Sequence, residues 1–70
     1  MKLIEAEIGK EYAVKSVQTA DEELDAFLFS LGCYSGEPIT VVLKRKSGCV
    51  VLIKDTRYHI DRDLASAIEV

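Results

Sequence analysis

The sequence has no tryptophan, one proline, one histidine and two cysteines among its 70 residues. A secreted mini-protein of this size is usually stapled by more disulfides, so two cysteines sixteen positions apart, Cys33 and Cys49, read as free thiols in a reducing compartment. No apolar run approaches the ~18 residues of a membrane span. Charges interrupt Met1-Lys2-Leu3-Ile4-Glu5-Ala6-Glu7 too early for an export signal, so the expected location is the cytoplasm. The net charge of -3 argues against nucleic acid as a partner. Linkers, repeats and low-complexity segments are absent too, so residues 1–70 are expected to form a single domain. So short a chain buries only about 60% of its unfolded surface, which leaves a thin core and little expected room for a pocket of ~300 Å³.

What is present is 49% hydrophobic and 30% charged, the balance of a folded globular chain. The charge is uneven: residues 1–40 carry 3 basic and 8 acidic side chains, and residues 41–70 carry 6 and 4. Leu3, Ile4 and Ile8 are expected anchors ahead of a turn at Gly9. Tyr12 to Val17 is rich in strand formers, and a bulge would let Val14 and Val17 both face inward. Thr19-Ala20-Asp21-Glu22 has the form of a capping box, Leu24, Phe27, Leu28 and Leu31 follow on one helical stripe, and Gly32 offers a left-handed end. That predicts a helix of about 12 residues.

Beyond it, Pro38 opens a strand with Ile39, Val41 and Leu43 on one face. Lys44-Arg45-Lys46-Ser47-Gly48 is a polar tip, and Cys49 to Ile53 returns as the second arm of a β-hairpin. Tyr58 and Ile60 alternate with polar residues in a third strand, Asp61 can cap a helical turn, and Ala67 to Val70 closes the chain as a strand. The expected fold is mainly β, a small α+β barrel, partly open, of about five short strands with one helix and a C-terminal helical turn.

These residues carry a resemblance. Leu28, Leu31-Gly32 and Gly36 match a Leu-x-x-Leu-Gly-x-x-x-Gly core, and Ile39-Thr40-Val41 the strand after it. Ile60, Ala65, Ile68 and Val70 match a closing Leu-x-x-x-x-Ala-x-x-Ile-x-Val pattern, and the opening Leu3 to Gly9 fits as well. Together they resemble the FeoA family, SH3-like barrels linked to bacterial ferrous-iron uptake. The resemblance rests on packing and turn residues, so it speaks to fold before activity. Ser35, Cys33 and Asp61 depart from the residues common in the family at those places. The resemblance implies an accessory role at the cytoplasmic face of a FeoB-type iron transporter, with no nucleic acid and no membrane insertion. The same module also ends iron-dependent repressors, and here there are no DNA-binding helices beside it.

Site candidates follow from chemistry. Phe29 lies about 140° from Leu24 around the helix, among Glu22 and Asp25. Either the 33–38 segment folds over it, or Asp25, Phe29 and Tyr34 form a contact surface for a partner protein. Cys33, Cys49 and His59 are the only soft metal donors, completed at most by Asp61 or water, and none has a close chelating spacing. Structural cysteines and a solvated histidine are the plainer reading, and a metal-responsive domain the alternative; no cofactor is otherwise implied. Lys44-Arg45-Lys46 fits a solubilising tip or an acidic partner face, and Arg45, Arg57 and Arg62 ordinary surface arginines. Tyr12, Tyr34 and Tyr58 are too few aromatics for the usual proline-rich peptide groove. No nucleophile triad, phosphate loop or carboxylate pair appears, so a non-enzymatic module is expected. Free strand edges leave self-association open.

Overall fold

The computed structural model describes residues 1–70. A 3-10 turn at Leu3–Glu5 precedes β1 (Glu11–Ala13), β2 (Ser16–Val17), α1 (Glu22–Leu31), β3 (Pro38–Arg45), β4 (Gly48–Ile53), β5 (Thr56–Asp61), α2 (Arg62–Ala67) and β6 (Ile68–Glu69). Antiparallel pairing orders one sheet β1-β3-β4-β5, and β2 pairs with β6 in a second, two-stranded sheet. The architecture is the expected partly open β scaffold, with six strands in place of about five.

The sixth strand arises where a bulged Tyr12–Val17 strand was expected. The chain instead breaks at Val14-Lys15 and changes sheets. Val14 N–H donates to Glu37 O at 2.9 Å and Lys15 N–H to Glu69 O at 2.7 Å, so both backbone donors stay paired across the switch. Val14 is buried and Val17 packs against the core, so both still face inward.

The β3–β4 hairpin turns through Lys46-Ser47, with Arg45 opposite Gly48. Gly48 is required there: a Cβ would lie 2.0 Å from the Ile60 carbonyl oxygen of the adjoining strand. β3 shifts register between Val41 and Leu43. The irregularity turns Leu43 out of the face it was expected to share with Ile39 and Val41, leaving it 41% exposed. β4 to β5 is a two-residue hairpin whose Lys54 and Asp55 both take positive φ, 48° and 65°, matching the twist of the flanking strands.

Asp61 caps α2 as expected, its Oδ1 accepting from Leu64 N–H at 2.8 Å. Leu64 and Ala65 are buried, and α2 packs on the 3-10 turn, β4 and β5. The core joins Leu3, Ala6, Ile39, Val41, Val51, Ile53, Ile60 and Ile68. Ala6 takes the inward place expected of Ile8, which is 56% exposed beside the Gly9 turn. No polar or charged side chain is buried.

Candidate functional site

The surface around α1 is built by a helix that gives little of itself to the core. Leu28 is fully buried and Leu31 packs against the core, but Leu24 and Phe27 are 38% and 49% exposed. The expected four-residue stripe is thus half buried, because the helix is seated on one narrow edge.

Its start also differs from the expected capping box. Asp21 is the N-cap, accepting from Glu23 N–H at 2.9 Å, and the helix runs 10 residues. Thr19 is drawn elsewhere: its hydroxyl donates to Asp25 Oδ1 at 2.5 Å and accepts from Asp21 N–H at 3.3 Å. Asp25 is therefore half-buried and braces the entry to the helix.

The helix ends as expected at Gly32, whose φ of 93° reverses the chain. Cys33 N–H donates back to Leu28 O at 2.9 Å and Gly32 N–H to Phe29 O at 3.0 Å. This reversal brings Tyr34 beside Phe29, with ring centroids 4.8 Å apart and planes tilted by 34°. The 33–38 segment therefore flanks Phe29 without covering it, and the ring remains 65% exposed. The loop is fixed from beneath by Gly36 N–H donating to Val14 O at 2.8 Å and Glu37 N–H to Tyr34 O at 3.0 Å.

The β4–β5 turn completes the site. The Lys54 side chain crosses over Gly32, where an added Cβ would lie 2.7 Å from Cε. Its Nζ reaches Glu37 Oε2 at 3.1 Å and stands 5.5 Å from the Tyr34 ring centre. The hydrogen bond to Glu37, with Tyr34 close beside it, holds the ammonium charged to higher pH than usual. The Phe29–Tyr34 ridge thus separates two grooves open to solvent. One, of about 440 Å³, is lined by Phe29, Leu31, Gly32, Tyr34, Lys54 and Tyr58. The other, of about 330 Å³, is lined by Lys15, Val17, Asp25, Phe29, Cys33 and Tyr34 among others. Space on this scale was not expected of so thin a core. It is furnished by the surface between α1 and the sheet.

Asp25, Phe29 and Tyr34 are thus brought together. Lys54, Glu37 and Tyr58 join them unforeseen, because only the turn geometry at Lys54-Asp55 shows where that long side chain reaches. Leu24 and Phe27 were assigned to the core, and no pattern within the helix distinguishes its covered flank from its bare one.

The soft donors are not gathered. Cys33 and Cys49 are buried free thiols and His59 is exposed on β5. No group of three or more His, Cys, Asp or Glu side chains comes together that could hold a metal ion. Burial pushes the Cys33 thiol up to about 11, and burial also raises that of Cys49 despite the opposing charge of Lys44. Both are poor thiolate ligands as they stand. No helix is long and apolar enough to cross a membrane.

A partly open β scaffold with a half-seated helix defines a small SH3-like domain. The FeoA domain model matches residues 1–70, and the chain belongs to that family. The zinc-complexed FeoA of Stenotrophomonas maltophilia, described as an SH3 domain protein, superposes with a TM-score of 0.87 at 27% identity, covering 100% of this chain and 88% of that one. The FeoA protein of Chlorobium tepidum gives 0.88 at 25% identity over 99% of this chain and 67% of that one. A manganese-dependent transcriptional repressor gives 0.86 at 21% identity over 97% of this chain and 39% of its own length, a likeness of fold. Among curated proteins none matches. The family is an accessory one in ferrous-iron transport and is not a known enzyme family.

Proposed function

We propose that this protein is a non-enzymatic accessory module that works in the cytoplasm and docks on the cytoplasmic part of a FeoB-type ferrous-iron transporter. The docking surface is α1 with the 33–37 loop, centred on Asp25, Phe29 and Tyr34 and widened by Leu24 and Phe27. The observation that carries this reading is Phe29: a large ring, 65% exposed, packed against Tyr34. An aromatic side chain kept out of the core and pre-ordered loses little entropy on contact, which suits a binding anchor. Membership of a family linked to ferrous-iron transport supports a partner within that transport system.

The test is binding of the purified protein to the isolated cytoplasmic domain of such a transporter by calorimetry. Phe29→Ala should weaken binding by roughly tenfold, the effect of an anchor worth at least ~1.4 kcal/mol. Its unfolding free energy in urea should stay within about 1 kcal/mol of the parent, since the ring contributes little to the core. Unchanged affinity for a folded Phe29→Ala variant would remove Phe29 from the interface and refute this reading.

A further inference from the structure

We propose that the Phe29 side of the ridge receives an arginine from a basic segment of the partner protein. This rests on the docking reading above and names the chemistry of what docks. Within the chain, one side of the aromatic pair already holds a cation. Lys54 stands over the Tyr34 ring and is neutralised by Glu37. The other side repeats the elements of that arrangement without such a cation. Glu22, Asp25 and Phe29 are spaced i, i+3, i+7 and share one face of α1. Asp25 and Phe29 line the same 330 Å³ groove with Tyr34.

The carboxylates there are not matched internally. The ion pairs of the molecule are Met1–Glu69 and Lys54–Glu37, so Asp21, Glu22, Glu23 and Asp25 enter none. From residue 16 to residue 43 the chain has five acidic side chains and no Lys, Arg or His. Lys15 lines the groove and is the one cation near it, without an ion pair of its own. Charge complementarity therefore selects a basic segment. The ring selects arginine over lysine, because a guanidinium can lie flat on an aromatic face while its edge forks to a carboxylate, and a compact ammonium cannot do both.

The test uses three capped peptides, Gly-Ser-Xaa-Leu-Xaa-Ser-Gly, with Xaa arginine, lysine or neutral citrulline, titrated into the ¹⁵N-labelled protein. The arginine peptide should shift amides of residues 22–29 and 33–35 and bind about threefold tighter than the lysine peptide, the cation–π difference at an exposed site. The citrulline peptide should bind at least about fivefold more weakly than the arginine peptide, for want of a charge-assisted bond. Phe29→Ala and Glu22→Gln should each weaken arginine binding, and Lys15→Ala should strengthen it by removing a like charge. Equal binding of arginine and citrulline, shifts confined to other surfaces, or indifference to Phe29→Ala and Glu22→Gln would each overturn the proposal. Competition separates it from the docking reading. If the transporter domain binds α1 and the arginine peptide cannot displace it, arginine recognition fails while docking stands. If the peptide binds as expected and the transporter domain does not, docking on that partner fails alone.

Discussion

Cys33, beside the Phe29–Tyr34 pair, and Cys49, at the start of β4, are both buried thiols. Burial favours the neutral form, so the folded state keeps the Cys33 proton to about pH 11 whereas the ordinary value is 9.0. The sign follows directly. Below about pH 9 both states are protonated and the fold's preference for the thiol is fully available. Between 9 and about 11 the unfolded chain releases the proton and the folded chain does not, so the folded state binds more protons and stability falls as pH rises. Urea denaturation at a series of pH values from 8 to above 10 should show this decline, and Cys33→Ala should flatten it relative to the parent. An identical slope in the two proteins would mean that the thiol is not protected. By the same burial neither thiol should react readily with a maleimide in the native protein near neutral pH. None of this was readable in the spacing of Cys33 and Cys49. Spacing excluded a close chelate, but burial depends on the loop that Gly32 and Gly36 shape around Cys33 and on the sheet around Cys49.

α1 is the element with the least holding it. Its buried contribution is Leu28 with part of Leu31, and its caps are Asp21 at the start and the left-handed Gly32 at the end. β3, β4 and β5 pair along their length, interrupted once by the register shift in β3, over Ile39, Val41, Cys49, Val51, Ile53 and Ile60, all buried. Native-state amide exchange should therefore be fastest for the α1 amides after the termini and turns, and slowest for β4, the central strand of that ladder. Equal protection in α1 and β4 would show that the helix is bound into the cooperative unit. The existence and end of this helix were legible because capping and glycine chemistry are local: Gly32 lies where the pattern put it. Its buried face was not legible. Leu24 and Phe27 have the spacing of core residues, and their exposure reflects how far the sheet extends beneath them, a tertiary fact. Phe29 was visible as an outlier for the complementary reason, since an aromatic ring among Glu22 and Asp25 breaks the helical pattern, but whether the 33–38 segment covers it was not legible. The interruption at Val14-Lys15 shows the same division. Inward-facing residues could be named, but whether a bulge or a change of sheet delivers them is decided by distant partners, Glu37 and Glu69.

The whole chain is electrically lopsided, with residues 1–40 holding 8 acidic against 3 basic side chains and residues 41–70 holding 4 against 6. The two surfaces with docking potential, acidic α1 and the basic Lys44-Arg45-Lys46 tip, therefore predict opposite partners. The scaffold that separates them was legible in outline because most of its strands, turns and helix ends carry local signals that agree with one another. The orientation of a partner on it is a different matter, and kinetics can decide it. If α1 leads, a Glu22→Lys/Glu23→Lys variant should slow association with the transporter's cytoplasmic domain by roughly tenfold at low salt, since steering charges act chiefly on the encounter rate. Neutralising the tip through Lys44→Gln, Arg45→Gln and Lys46→Gln should leave that rate within about twofold, or raise it by removing repulsion from a basic partner. Both differences should shrink between about 20 mM and about 300 mM salt, as the screening length falls below the spacing of exposed charges. The reverse ranking, with the tip variant slow and the helix variant unaffected, would move the docking surface to the hairpin. It would leave the aromatic ridge without the partner that its exposure and its uncompensated carboxylates imply.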